Sequence, residues 1–298
     1  MKKLLMPLVF ILCAELLSSC AGMAASAEEY YSIGMAYFEL GKFEEAEIWL
    51  NRAKSADKTM VASQYNLGRL AFEKKQYNEA ARLFEGILKK DPDNILALKA
   101  AAYTRINTGD LETAEKYYAR LQELIPESAD NGYNHALVLY AMKRYSDAEE
   151  ILKNYFLSML ENSEMQLLFA RCQKAQNKIE AIDSYSNWLN NNSDVRARYE
   201  YAQLLELHEL YARSIEEYRK ALSETSSSEK ALNREIRFSL AKLLLIADNE
   251  SREGITELQT AVNDGFNTIE ALENLLVNEK ISAVNKDSIR NIISGIKR

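Results

Sequence analysis

Residues 61–94 read VASQYNLGRLAFEKKQYNEAARLFEGILKKDPDN, and the way this stretch recurs decides the fold. Its Gly68 has counterparts at Gly34, Ala102 and Ala136, each 34 residues from the next. Tyr77 belongs to the series Phe43, Tyr77, Leu111, Tyr145, and Ala80 to the series Ala46, Ala80, Ala114, Ala148. Phe84 stands in a fourth series with Leu50, Tyr118 and Leu152. Four series sharing one period mark a supersecondary unit that buries its apolar face by stacking on copies of itself. Small residues in two series let paired helices approach closely, and larger ones in the other two fill the gaps between neighbours. Pro92 and Pro126 keep the same period near the end of the unit, where proline cannot continue a helix.

Composition agrees with a helical reading. Only 10 Gly and 3 Pro occur in 298 residues, so few positions interrupt a backbone ladder. With 37 basic against 44 acidic residues the net charge is −7. That balance argues against a nucleic-acid surface, which needs clustered Lys and Arg to displace counterions.

The four series resemble the tetratricopeptide repeat at its eighth, seventeenth, twentieth and twenty-fourth positions. The resemblance implies an all-α, right-handed α-solenoid of about seven helix hairpins, with repeats over 27–60, 61–94, 95–128, 129–162, 163–194, 195–228 and 229–265. Ala170, Ala181, Tyr185 and Trp188 mark the fifth; Ala202, Ser214, Tyr218 and Ala221 the sixth; Ala241, Gly254, Leu258 and Ala261 the seventh. Before the seventh runs the polar stretch Ser223–Ser228, where Ser226 and Glu229 have the spacing of a capping box. Beyond Gly265 the pattern ends. Ile269–Val277 and the isoleucine-rich segment from Ile281 to Ile296 have helical spacing, so residues 266–298 are expected to cap the last open face.

The N-terminus opens on Lys2 and Lys3, followed by an apolar run from Leu4 to Ala14. A cationic start and a run too short to span a bilayer read as an export signal. Leu17-Ser18-Ser19-Cys20 then resembles the lipobox of bacterial lipoproteins, which implies a signal peptide over 1–19, lipidation of Cys20 and a linker over 20–26. A plain secretory cut after Ala25-Ser26-Ala27, or an uncleaved anchor, are the alternatives. The remaining Cys172 then has no intramolecular partner.

In this repeat type the first helix of each pair lines the binding face. The resemblance places Tyr31, Met35 and Phe38 there in the first repeat, and Tyr65, Arg69 and Phe72 in the second. Tyr103, Tyr133, Tyr140 and Tyr199 continue the row. Two uses of these rings are open: a groove for an apolar peptide, amphipathic helix or lipid-like ligand, or packing between adjacent first helices. The inward Lys, Arg and Asn cluster of chaperone-binding relatives is absent.

No catalytic, metal or cofactor motif emerges. His135 falls on a core-facing position, His208-Glu209 lacks a second ligand because position 212 is Ala, and Cys172 has no histidine in its own repeat. Acidic pairs such as Glu149-Glu150 are expected to suit the helix dipole and water. The sequence thus points to a non-enzymatic scaffold or adaptor lipoprotein of the bacterial envelope, resembling barrel-assembly lipoproteins and pilotins in general type. Its expected partners are envelope proteins, and its N-terminal lipid would hold it to the periplasmic side of a membrane, the outer one by the residue after Cys20. A soluble secreted or periplasmic protein, a carrier of an apolar ligand and self-association through the solenoid ends are the other readings.

Overall fold

The computed structural model describes residues 26–226 and 228–296. The expected signal peptide, Cys20 and the linker up to residue 25 lie outside the described residues. Every regular element among the described residues is an α-helix. The helices fall into two compact units, one up to Val138 and one from Leu139.

The first unit begins with three antiparallel hairpins: α1 (Ala27–Glu39) with α2 (Phe43–Ala56), α3 (Val61–Glu73) with α4 (Tyr77–Leu88), and α5 (Ile95–Thr108) with α6 (Leu111–Leu124). Helix α7 (Ala129–Ala141) then runs across the boundary. The close approach within a hairpin is set by the glycine series. A Cβ on Gly68 would lie 2.6 Å from Phe84 Cε1, and one on Gly34 would lie 2.8 Å from Leu50 Cγ. Phe84 and Leu50 are buried, so the missing methyl is what lets each fill the space between helices.

Helix ends follow local chemistry. Ser26 and Glu29 form a capping box, with Glu29 N–H donating to Ser26 Oγ at 3.2 Å and Ser26 N–H to the Glu29 carboxylate at 2.7 Å. Asn94 and Asp110 cap α5 and α6 through their side chains. The turn inside each of the first four hairpins needs one left-handed residue, and it too keeps the 34-residue period: Gly41, Lys75, Gly109 and Lys143 have φ between 59° and 79°.

The second unit contains α8 (Tyr145–Asn154), α9 (Phe156–Glu161), the pairs α10 (Ser163–Ala175) with α11 (Ala181–Leu189) and α12 (Val195–Leu207) with α13 (Tyr211–Glu224), and α14 (Lys230–Ala247) with α15 (Arg252–Asn263). Its core is built on Tyr185, Trp188, Tyr201 and Leu204 in one part and Tyr218, Ile236 and Leu240 in another. At the end, α16 (Ile269–Val277) and α17 (Ala283–Ile296) set Leu272, Ile289 and Ile293 against Leu245 and Leu258.

Three local expectations are corrected. Ser226 does not cap a helix. Its N–H does donate to Glu229 at 3.0 Å, but α14 starts at Lys230 with Glu229 itself at the N-cap. Repeat four carries an extra short helix: the chain bends at Tyr155, and α9 follows with Phe156, Leu157 and Leu160 exposed. Glu149 is not solvated but buried, its carboxylate taking hydrogen bonds at 2.7 Å from Lys153, Lys178 and Gln176.

Candidate binding surface

In the first unit the inner positions of the first helices meet one another. Tyr31 of α1 accepts a hydrogen bond from Asn66 of α3 at 3.0 Å, and Asn66 Oδ1 accepts one from Arg69 at 2.9 Å. That brace holds the Arg69 guanidinium over the Phe38 ring, 4.8 Å from its centroid. Phe72 lies between the Tyr77 ring of its own hairpin, at 5.1 Å, and the Tyr103 ring of the next first helix, at 5.3 Å.

These residues differ in what they leave open. Tyr65 is half-buried and packs on Phe84 at 5.5 Å, and Phe38 likewise on Phe43 at 5.8 Å. Tyr31, Met35 and Tyr133 are half-buried. Arg69 and Tyr103 are exposed, Tyr103 at 55%. Between them lies a cleft of about 170 Å³ lined by Arg69, Phe72, Glu73, Phe84, Ala100, Tyr103 and Thr104. Its lining is mostly ring and alkyl surface, joined by the exposed Arg69 and Glu73. Roughly 300–1,000 Å³ is usual for a cleft that swallows a drug-sized molecule, so this one suits a single large side chain.

The corresponding row in the second unit is polar. Arg171 pairs with Glu200 at 2.8 Å, and Tyr185 donates to the same carboxylate at 3.1 Å. Lys242 pairs with Glu206, which also accepts from Tyr218 at 3.0 Å. Lys174 donates to Gln203 at 2.9 Å, and burial lowers its ammonium pKa. Burial alone would weaken the Arg171 proton as well, yet the Glu200 carboxylate overrides it and raises that pKa. Of the expected surface residues here, Tyr140 is half-buried against Tyr145 at 5.2 Å, and Tyr199 against Tyr218 at 5.8 Å. They serve as packing rings. The cross-helix ion pairs were not read from the sequence; an acid and a base 20 residues apart, as in Glu85 with Arg105 and Arg237 with Glu257, are the signal for two of them.

Two of the three groups that could carry chemistry lie in the core. His135 is buried, its Nδ1 2.8 Å from Gln122 Oε1. His208 is half-buried at the end of α12. Cys172 is fully buried, and burial pushes its thiol up to about 12. Among the described residues no cluster of three His, Cys, Asp or Glu could hold a metal, and no helix is long and apolar enough to cross a membrane.

A series of two-helix hairpins, each packing its second helix on the first helix of the next, is the architecture of a repeat scaffold. Residues 27–60 and 71–133 match models of the tetratricopeptide repeat, and the chain carries such repeats. An uncharacterized lipoprotein of Treponema pallidum (strain Nichols) is 24% identical over 153 residues, 51% of this chain and 78% of that protein. The human protein O-mannosyl-transferase TMTC3 is 27% identical over 127 residues, 42% of this chain but only 14% of its own length. Among solved structures, a tetratricopeptide repeat protein from Parabacteroides merdae superposes with a TM-score of 0.59 at 20% identity, over 84% of this chain and 97% of that one. The pilF protein of Pseudomonas aeruginosa gives 0.54 at 17%, over 71% and 96%. At these identities the likeness is one of fold.

Proposed function

We propose that the protein is a non-enzymatic scaffold of the bacterial cell envelope, tethered by a lipid on Cys20, that holds a polypeptide partner on the inner helix faces of its first unit. The observation that carries this reading is the cleft between Arg69 and Tyr103, walled by Phe72. It is open and apolar, sized for one side chain, and edged by the braced Arg69. A peptide can dock one residue there and find hydrogen-bonding and charged groups at the rim, as peptide grooves on helical scaffolds require.

The lipobox-like stretch and the Treponema lipoprotein relative support the envelope placement. Ala21 after the lipid-bearing cysteine favours the outer membrane. Lipid chains contribute ~0.8 kcal/mol per buried methylene, enough for a multiply acylated cysteine to keep the body at the bilayer.

The test is affinity purification of the tethered protein from its own envelope, followed by mass spectrometry of what comes with it. A stoichiometric polypeptide lost in the Phe72→Ala/Tyr103→Ala double variant supports the reading. A copurifying small apolar molecule that depends on the same residues, with no polypeptide, replaces it with a carrier role.

A further inference from the structure

In the first unit the second helix of one repeat covers a fixed stripe on the next. Leu67, Leu70 and Ala71 of α3 and Leu98, Ala101 and Thr104 of α5 are buried. Each stripe is also stitched to the preceding second helix by charge: Lys74 pairs with Glu47 at 3.0 Å, and Arg105 with Glu85 through hydrogen bonds from 2.5 Å. Arg120 in α6 reaches back to Asp93 of the preceding repeat at 2.7 Å.

The first repeat has no preceding hairpin among the described residues. One repeat upstream of Leu67, Ala71 and the paired Lys74 stand Ile33, Tyr37 and Leu40, and two repeats upstream of Leu98 stands Tyr30. Leu40 is the C-cap that ends α1. Ile33 is 36% exposed and Leu40 72%, where Leu67 one repeat later is 6%. Trp49 extends the stripe from α2, its ring tilted against that of Tyr30 at 5.8 Å. Arg52 lies over Trp49 at 4.4 Å, at the repeat position where Arg120 meets a carboxylate, and pairs with no carboxylate among the described residues. Ile33 and Leu40 are exposed and Tyr30 and Tyr37 half-buried, and together the four form an apolar docking stripe along α1 and its C-cap.

We propose that a second copy of this chain covers this stripe, the two α1 helices packing antiparallel about a two-fold axis. The spacing along the stripe is 3, 4 and 3 residues, which reads the same in both directions. A two-fold between Ile33 and Tyr37 therefore sets Ile33 of each copy against Tyr37 of the other, and Tyr30 against Leu40. The charges agree. Glu28 and Glu29 occupy the first turn of α1, and the exposed Lys42 follows its last. An antiparallel pair places each acidic end beside the other copy's Lys42, whereas a parallel pair would oppose like charges. Growth into an open filament would need the far end of the chain as the complement, but there Ile289 and Ile293 of α17 already cover the last repeat. A 13-residue helix is roughly 20 Å long, so the interface is small and the dimer is a transient one.

Sedimentation of the full chain in mild detergent, from about 1 µM to about 1 mM, tests this. The expected result is a reversible monomer–dimer equilibrium, with Ile33→Asp and Leu40→Asp each raising the dissociation constant about tenfold or more. Both sites are exposed, so the helical circular dichroism of these variants should be unchanged. Lys42→Glu should weaken the dimer, and mixing it with the Glu29→Lys chain should restore association as a heterodimer. A single-copy mass across the whole range overturns the proposal, as it would if residues 1–25 or another polypeptide covered the stripe. A dimer indifferent to Leu40→Asp overturns it equally.

Discussion

The ring of Phe72 lies 5.3 Å from that of Tyr103, and the two come from the first helices of successive repeats. Phe72 is also held from its other side by Tyr77, while Tyr103 remains 55% exposed. One ring is thus fixed by the scaffold and the other faces whatever enters the cleft. A rigid wall beside an open aromatic is a low-entropy way to grip a side chain, because little motion is lost on binding.

Tyr103→Ala should therefore separate binding from folding. Removing a half-exposed ring costs stability of about 1 kcal/mol or less, so the melting temperature should shift by only a few degrees. Retention of the copurifying partner should fall several-fold. Comparing thermal melts with pull-down yield checks both expectations.

Gly68→Ala should do the opposite. The added methyl would meet Phe84 at 2.6 Å inside the hairpin, and overpacking of this kind typically costs about 1–3 kcal/mol. Chemical denaturation should report the loss.

Lys75 and Lys143 occupy the left-handed turn position that Gly41 and Gly109 fill in alternate repeats. A side chain there costs about 1–2 kcal/mol, and glycine's greater freedom in the unfolded chain offsets part of it. Lys75→Gly should stabilise the protein by roughly 0.5 kcal/mol, visible as a raised denaturation midpoint.

Glu149 gives the fold an acid-sensitive point. Burial pushes its carboxyl up, but hydrogen bonds from Lys153, Lys178 and Gln176 outweigh that and hold it below the usual 4.5. A depressed folded-state pKa contributes stability that is present above 4.5 and is lost as pH falls below it toward the folded value. Glu149→Gln should flatten this part of the stability–pH curve. At neutral pH it should cost about 1–3 kcal/mol, because the charge-assisted hydrogen bonds are weakened and the Lys153 and Lys178 ammonium groups lose their charged partner.

The repeat was legible because its signal is steric and local. Gly34 and Gly68, paired with Leu50 and Phe84, carry the hairpin packing in their own identities. The division of labour among the aromatic residues was not legible. Tyr65 and Tyr103 both fall on the inner row, yet Tyr65 leans on Phe84 of its own hairpin while Tyr103 faces solvent, a difference that depends on tertiary packing. Glu149 misled for a similar reason: its place near a helix start suggests solvent, whereas it is buried and one of its partners, Lys178, is 29 residues away. The short helix α9 escaped because Tyr155 interrupts a segment whose composition is helical throughout.

The central claim is that the cleft beside Tyr103 grips a polypeptide, and site-specific photo-crosslinking measures it most directly. A benzophenone amino acid at position 103, irradiated in living cells, should give one discrete higher-mass polypeptide adduct, weakened by Phe72→Ala. The same probe at Tyr199, packed on Tyr218 in the second unit, should give none. No adduct at 103, or an adduct of small-molecule mass alone, would contradict the account.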